Sequence, residues 1–138
     1  DGQFVVSISD FHHQGGERFA YLLQLEERKP DFSANVASDR LTTSVGKELE
    51  IVVNVVRELD YTGIIKVSIE GLPSSVSCPA VESTHGTDSA AKVTLKLTGS
   101  EPFQGPLNIV ASSDVEATTQ TRQAGTSDHK PIWLSITP

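Results

Sequence analysis

The sequence predicts an all-β protein in which antiparallel sheets pack face to face as a sandwich. Several segments alternate apolar and polar residues with the period of two that a half-buried strand requires. Glycine and proline separate these segments at short intervals, as in Gly71-Leu72-Pro73. No segment shows the 3.6-residue period of an amphipathic helix. One apolar and one polar face in each strand are typical of antiparallel sheets that form a sandwich.

Two strand candidates, Phe4–Ser9 and Arg18–Glu26, precede the sandwich. An isolated hairpin is marginally stable in water, so this extra N-terminal β-hairpin must pack on the sandwich or belong to a preceding module. The predicted organisation is therefore a two-strand segment with a linker, residues 1–29, followed by a sandwich, residues 30–138.

The central strands have the clearest pattern. Strand Lys47–Arg57 places four apolar side chains on one face, namely Leu49, Ile51, Val53 and Val55. After a turn at Gly63, strand Ile64–Glu70 alternates in the same way and ends at a Gly-Leu-Pro corner, where proline stops further pairing.

Three more runs complete the pattern: Ala91–Thr98, the alternating Leu107, Ile109 and Ala111, and the alternating Ile132, Leu134 and Ile136. The polar tract 111–128 is interpreted as an exposed strand pair, because 116–122 has high β-propensity, with a mobile binding loop as the alternative. About seven short strands in roughly 100 residues are typical of an immunoglobulin-like sandwich.

The charge balance is acidic, with 18 Asp+Glu against 11 Lys+Arg. Nucleic acid and anionic membrane surfaces would be repelled on average, so neither is an expected partner. No apolar run approaches the roughly 18–20 residues of a membrane span, so we expect no membrane insertion.

Cys78 is the sole cysteine, which excludes a disulfide within the chain. The chain contains no Met, which indicates a segment of a longer polypeptide.

The sharpest polar cluster lies in the loop between the first two strand candidates. Asp10, His12, His13 and Glu17 offer two imidazoles and two carboxylates, which are ligands for divalent metals. Adjacent histidines on extended backbone point to opposite sides, however, and this favours a solvated loop. No cofactor is predicted.

Catalytic motifs are not apparent. No serine lies in a Gly-x-Ser-x-Gly pattern, and His85 with Asp88 or with Cys78 is explained by chance co-occurrence. We therefore predict that the chain is not an enzyme.

Aromatic residues provide the candidate binding site. If Ile132 and Leu134 face inward, Trp133 faces outward, and an outward Trp on a sandwich is a candidate for stacking against carbohydrate. Alternatively, Trp133 covers an interface with the N-terminal strands or with a neighbouring domain. Tyr61 is the second candidate binding residue, although an aromatic at such a turn usually caps the end of the core.

Parts of the chain resemble known modules. The run Gly15–Leu25, with its Gly-Gly loop and Tyr-bearing strand, looks like the last strands of a bacterial pre-peptidase C-terminal domain. The runs Val53–Arg57, Tyr61–Ile65 and Val67–Pro73 resemble an immunoglobulin-like repeat of large secreted or surface proteins from planctomycete-type bacteria. The tract 112–130 is longer than the compact hairpin that such a repeat would have before its last strand.

The resemblance implies a non-catalytic accessory, spacer or adhesion-type module of a large secreted or cell-surface bacterial protein. It also implies that the module is attached to a serine-protease-like hydrolase. The expected partners are neighbouring domains of the same chain and a protein or polysaccharide surface. Two alternatives stay open: a carbohydrate-binding module that uses Trp133, and a metal-binding or small hydrolase domain.

Overall fold

Ten strands run through the described residues of this computed structural model, which are 2–12, 14–16, 21–115, 118–126 and 130–138. The strands are β1 (Asp31–Val36), β2 (Arg40–Ser44), β3 (Leu49–Glu58), β4 (Ile65–Glu70), β5 (Val76–Ser77), β6 (Val81–Ser83), β7 (Lys92–Gly99), β8 (Phe103–Val115), β9 (Thr118–Gln123) and β10 (Ile132–Thr137). A single 3-10 turn, Asp88–Ala90, precedes β7 in the same ranges. The strands form two packed sheets, which confirms the predicted all-β sandwich.

The first sheet has the strand order β1-β3-β7-β5 and is antiparallel throughout. The second has the order β2-β10-β8-β4-β6, and β9 pairs with β8 beside this path. One pair departs from the predicted antiparallel pattern, because β2 runs parallel to β10, with Leu41 opposite Leu134. Only three residues separate β1 from β2, so the chain crosses from the first sheet to the second almost directly.

The core lies between the sheets and contains the apolar residues that the alternation predicts. Ile65, Val67, Leu95 and Leu134 are all fully buried. Burial of such a side chain contributes about 1.5–3 kcal/mol relative to exposure, so these central positions dominate the stability of the sandwich. Ala91, which the pattern placed inward, lies just before β7 and is exposed.

The Gly-Leu-Pro corner joins β4 of the second sheet to β5 of the first sheet. β4 ends at Glu70, and Gly71 follows with a φ of 74°, a left-handed conformation that only glycine adopts without strain. The strand before it, β3, lies in the first sheet, so the connection 59–64 crosses between the sheets.

The polar tract after Ala111 contains paired strands, as its β-propensity predicted. β9 pairs antiparallel with the second half of β8. Beyond β9, Gly125 bridges to Asn35, and its carbonyl accepts a 2.9 Å hydrogen bond from the Val36 N–H. The end of this hairpin therefore ties the second sheet to the edge of the first.

The structure differs from the predicted N-terminal hairpin. Phe4–Ser9 and residues 21–26 contain no strand, and the remaining residues of the second candidate, 18–20, lie outside the described ranges. Phe4 is 89% exposed and Leu22 is 90% exposed. Without a paired neighbour, an alternating sequence cannot satisfy its backbone groups as a strand, so the pattern alone was insufficient.

Candidate functional site

The outer face of the second sheet carries the chain's single Trp. Trp133 lies on β10 between the buried Ile132 and Leu134, and 48% of its surface is exposed. Its cross-strand neighbours are Arg40 on β2 and Pro106 on β8. The alternation in β10 thus turns the indole outward, as predicted.

Two shallow concavities adjoin on this face. The first lies beside the Trp133 ring and has Arg40, Thr42 and Ser135 among its lining residues. The second has Asn108 and Gln123 among its lining residues, and both concavities are bordered by Lys130 and Pro131. We refer to the two together as the Trp133 groove.

Uncharged polar side chains on this face are held by hydrogen bonds to one another. Gln123 Nε2 donates to Asn108 Oδ1 over 2.6 Å, and Gln104 Nε2 donates to Ser135 Oγ over 3.4 Å. Each pair uses only part of its hydrogen-bonding capacity, because an amide has two donor hydrogens and a carbonyl acceptor. The groove therefore presents oriented amide groups with capacity left for a ligand.

A second polar cluster lies inside one end of the sandwich, around Arg57 of β3. Its Nη1 donates to the carbonyls of Tyr61 (3.1 Å) and Gly63 (2.6 Å), and its Nε donates to the carbonyl of Ala90 (3.3 Å). Its Nη2 donates to the carbonyl and the hydroxyl of Ser83, over 2.9 and 3.0 Å. Burial lowers the pKa of Arg57 from its usual value, but a guanidinium titrates so far above neutrality that it stays charged.

Tyr61 completes this Arg57 cluster, which consists of Arg57, Tyr61, Ser83 and Ser113. Tyr61 is 4% exposed, and its hydroxyl donates to Ser113 Oγ over 2.7 Å. Ser113 in turn donates to the carbonyl of Ile64. The Tyr61 ring contacts that of Phe32, with centroids 5.2 Å apart, and a Cβ added at Gly63 would lie 2.6 Å from its hydroxyl oxygen. Tyr61 thus takes the core-capping position and does not lie with Trp133.

The two regions are well separated along β8. Ser113 of β8 belongs to the Arg57 cluster, and Pro106 of β8 borders the Trp133 groove. The seven residue steps from Pro106 to Ser113 span roughly 23 Å of extended strand. The sequence indicates the Arg57 cluster through the position of Arg57 in the alternation of β3, although a pattern of apolar residues does not include an arginine. Arg57 has the same parity as Ile51 and Val53, so it lies on the inward side of β3.

The loop proposed to bind metal forms a local turn where it is described. Asp10 Oδ2 accepts hydrogen bonds from the backbone N–H of His12 (2.9 Å) and of Gln14 (3.2 Å). His13 and Glu17 lie outside the described residues. Within the described ranges, no three His, Cys, Asp or Glu side chains are grouped so that they could hold a metal ion.

The lone thiol is not activated. Burial raises the pKa of Cys78, which lowers the fraction of reactive thiolate at neutral pH. His85 is exposed in the connection before β7.

In comparisons with known proteins, no family model matches the chain and no curated protein is significantly similar to it. Within the described part of the chain, no helix has the length and apolar character that a membrane crossing would require.

Proposed function

We propose that the chain is a non-catalytic spacer module of a large secreted or cell-surface bacterial protein. In this role the sandwich holds neighbouring domains of the same chain at a fixed separation. The observation that carries the proposal is that the polypeptide enters the sandwich at one end and leaves it at the other.

The positions of the two ends follow from contacts along β8. At the start of β1, Asp31 Oδ2 accepts a 2.8 Å hydrogen bond from Arg122 Nη2, and Arg122 is opposite Ala111 of β8. Near the end of β10, Ile136 is opposite Phe103 of β8. The eight residues from Phe103 to Ala111 span roughly 26 Å of extended strand. Domains joined at the two ends would therefore be kept apart by the length of a packed sandwich.

The strand order supports an immunoglobulin-like assignment for this module. The order β1-β3-β7-β5 corresponds to the A-B-E-D sheet of immunoglobulin domains, and β4-β8-β10 corresponds to C-F-G. This agrees with the sequence resemblance of 53–57, 61–65 and 67–73 to a repeat of secreted and surface proteins. The proposed location outside the cytoplasm and the proposed link to a serine-protease-like hydrolase rest on that resemblance.

The residues before Pro30 are proposed to belong to a preceding, pre-peptidase-like module. Their apolar side chains are largely exposed, as for Phe4, Phe11 and Tyr21, and exposed apolar surface on this scale normally marks a contact with another element. The sandwich begins at Asp31, immediately after this segment.

Distance measurements across the sandwich test the spacer proposal. Spin labels placed by Ser33→Cys and Thr137→Cys, in a Cys78→Ala background, should give one narrow distance distribution centred at roughly 25 Å, as extended strand geometry requires. The same pair in a Leu95→Asp variant, whose core is disrupted, is the matched control and should give a broad distribution. A broad or multimodal distribution in the folded protein would remove the spacer mechanism.

The second test uses the sandwich between two fluorescent proteins fused to its ends. The folded module should hold the fluorophores at one transfer efficiency, whereas the Leu95→Asp fusion should sample a range. If both fusions gave the same range of efficiencies, the module would not fix the separation of its neighbours.

A further inference from the structure

The outer face of the second sheet has a surface that a spacer does not need. The Trp133 indole is half exposed on the mostly polar outer face of the sheet, with Pro106 as its apolar neighbour. The other large hydrophobic residues exposed in the described sandwich lie elsewhere: Val52 and Val56 on β3, and Leu59 and Ile64 in the β3–β4 connection. Trp133 is therefore an isolated aromatic platform, and its neighbours decide what it can bind.

We infer that the Trp133 groove binds internal segments of a neutral polysaccharide. A pyranose ring with equatorial substituents has apolar C–H faces, which stack on an indole, and a rim of hydroxyl groups, which pair with amides and hydroxyls. The groove supplies both. Trp133 lies next to Pro106, which adds apolar surface, and Asn108 and Gln123 supply amides in the adjoining concavity.

The polar groups are oriented before any ligand arrives. The Gln123–Asn108 hydrogen bond of 2.6 Å fixes both side chains, and Gln104 is directed toward Ser135. Preorganised groups lose less conformational entropy on binding, so they add more to affinity than mobile side chains. This arrangement suits a ligand that is recognised through many hydroxyl groups.

The charged side chains that line the groove favour a neutral ligand. The lining includes two acidic residues, Asp39 and Glu70, and two basic residues, Arg40 and Lys130. Because the charges of these four residues cancel, the groove has no row of like charges that could bind a polyelectrolyte. The net charge of −7 of the whole chain would repel a polyanion such as alginate.

The shape of the groove favours binding to the interior of a polysaccharide chain and not to its ends. Its lining includes residues of the four neighbouring strands β2, β10, β8 and β4, and three strand spacings correspond to roughly 14 Å. That distance accommodates more than one sugar ring. Both concavities are open to solvent, and the second continues from the sheet face to connection residues such as Gly71 and Gly125, so a long chain can pass across them.

A protein partner fits this surface less well. Protein interfaces usually bind through several desolvated anchors at the centre of the contact. Here Trp133 is the one large exposed hydrophobic side chain among the described residues of the groove. Pro106 and Pro131 add smaller apolar surfaces beside it, and amides, hydroxyls and charges of both signs complete the lining.

Because Trp133 is the only Trp in the chain, its fluorescence reports directly on the groove. The experiment titrates the protein with β-1,4-linked glucose and mannose hexasaccharides while emission is followed. In parallel, mobility is measured in native gels that contain hydroxyethylcellulose, galactomannan or alginate. We expect a saturable change in Trp133 emission with at least one hexasaccharide, and retardation in a gel that contains the corresponding neutral polymer.

Variants locate the site. Trp133→Ala should weaken gel retardation by at least tenfold, Trp133→Phe should retain part of it, and Asn108→Ala should weaken it severalfold. Val56→Ala removes an exposed apolar side chain from the opposite sheet and is the matched control, which should bind as the wild type does.

The inference fails if no neutral carbohydrate changes the emission or the mobility of the folded protein, which would favour a protein partner on this face. It also fails if Trp133→Ala is retarded as strongly as the wild type, or if retardation occurs only with alginate. None of these results would affect the spacer proposal, which depends on the separation of the two ends.

Discussion

The Arg57 cluster and the Trp133 groove are built from the same kinds of side chain but arranged in opposite ways. Each has an arginine beside an aromatic ring, with Arg57 near Tyr61 and Arg40 opposite Trp133. In the cluster the guanidinium is satisfied by protein carbonyls and the ring is buried. In the groove the ring is half exposed, and no partner for the Arg40 side chain is present among the described residues.

This contrast distinguishes polar groups that stabilise a sandwich from polar groups that can bind a ligand. A buried polar group that has protein partners stabilises the fold, and its loss leaves those partners unsatisfied. An aromatic and polar surface that is kept oriented but open contributes little to folding. Its side chains are instead available to a ligand.

Replacement of Arg57 should produce the largest change in stability. Arg57→Met removes the guanidinium that donates to the carbonyls of Tyr61, Gly63, Ser83 and Ala90, of which Ala90 keeps a donor in Ser83 Oγ. We expect the free energy of unfolding to fall by about 3 kcal/mol, since a fully buried unsatisfied group costs about 1–3 kcal/mol and the four carbonyls, which are partly buried, lose less than that each. Urea unfolding measures this change.

The matched control for that comparison is Arg40→Met. Arg40 is exposed on the outer face, so its replacement should change stability by less than about 0.5 kcal/mol. Equal losses for the two variants would show that the cluster and the groove do not differ in the way described.

The Tyr61–Ser113 hydrogen bond should contribute a smaller amount. Tyr61→Phe and Ser113→Ala should each lower the free energy of unfolding by about 1 kcal/mol, a typical value for a buried hydrogen bond. A double-mutant cycle should give a favourable coupling energy between them. Trp133→Phe, which changes an aromatic outside the core, should alter stability much less.

Asp31 should make part of the stability depend on pH. The hydrogen bond from Arg122 lowers the pKa of Asp31, with a further contribution from the Phe32 N–H, while burial opposes them. A carboxyl whose pKa is lower in the folded state stabilises the fold above its unfolded pKa of about 3.9 and loses that contribution as the pH falls through the folded value.

We therefore expect the stability difference between the wild type and Asp31→Asn to shrink as urea unfolding is moved from pH 6 to pH 2.5. The difference at pH 6 should be below about 1 kcal/mol, because the ion pair is largely exposed. Arg122→Gln removes the same interaction and should show the same loss of pH dependence. A difference that grew on acidification would contradict the assignment.

The smallest effect is expected from removal of residues 1–29. In the described residues, Arg28 and Glu58 form a 3.0 Å ion pair between this segment and the sandwich, and both side chains are exposed. Deletion should change the unfolding free energy by less than about 0.5 kcal/mol. A loss of several kcal/mol would show that the segment is part of the sandwich.

The sequence predicted the inward residues well because the side-chain period of a strand is local. Ile51, Val67 and Leu134 were assigned correctly from alternation alone. The parallel pairing of Leu41 with Leu134 was missed, since it joins residues far apart in the chain and nothing in the short strand β2 signals it. Phe4–Ser9 has the alternation of a strand but no pairing partner in the described structure, so local propensity gave the wrong result there.

The candidate site was predictable in part. The outward direction of Trp133 followed from its buried neighbours in β10. Asn108 and Gln123 were not foreseen, because they come from strands whose pairing brings them to one face. Arg57 was not foreseen, because a pattern of apolar residues does not include an arginine, although its position in the alternation of β3 places it inward.

Ligand-linked unfolding tests the contrast between the two regions most directly. Urea unfolding of the wild type, Arg57→Met and Trp133→Ala is compared with and without the hexasaccharide that changes Trp133 emission. At ten times its dissociation constant, a ligand that binds only the folded state adds about 1.4 kcal/mol. The wild type and Arg57→Met should gain this amount equally, despite their different starting stabilities, while Trp133→Ala should gain nothing. An equal gain in Trp133→Ala, or no gain in folded Arg57→Met, would contradict the account.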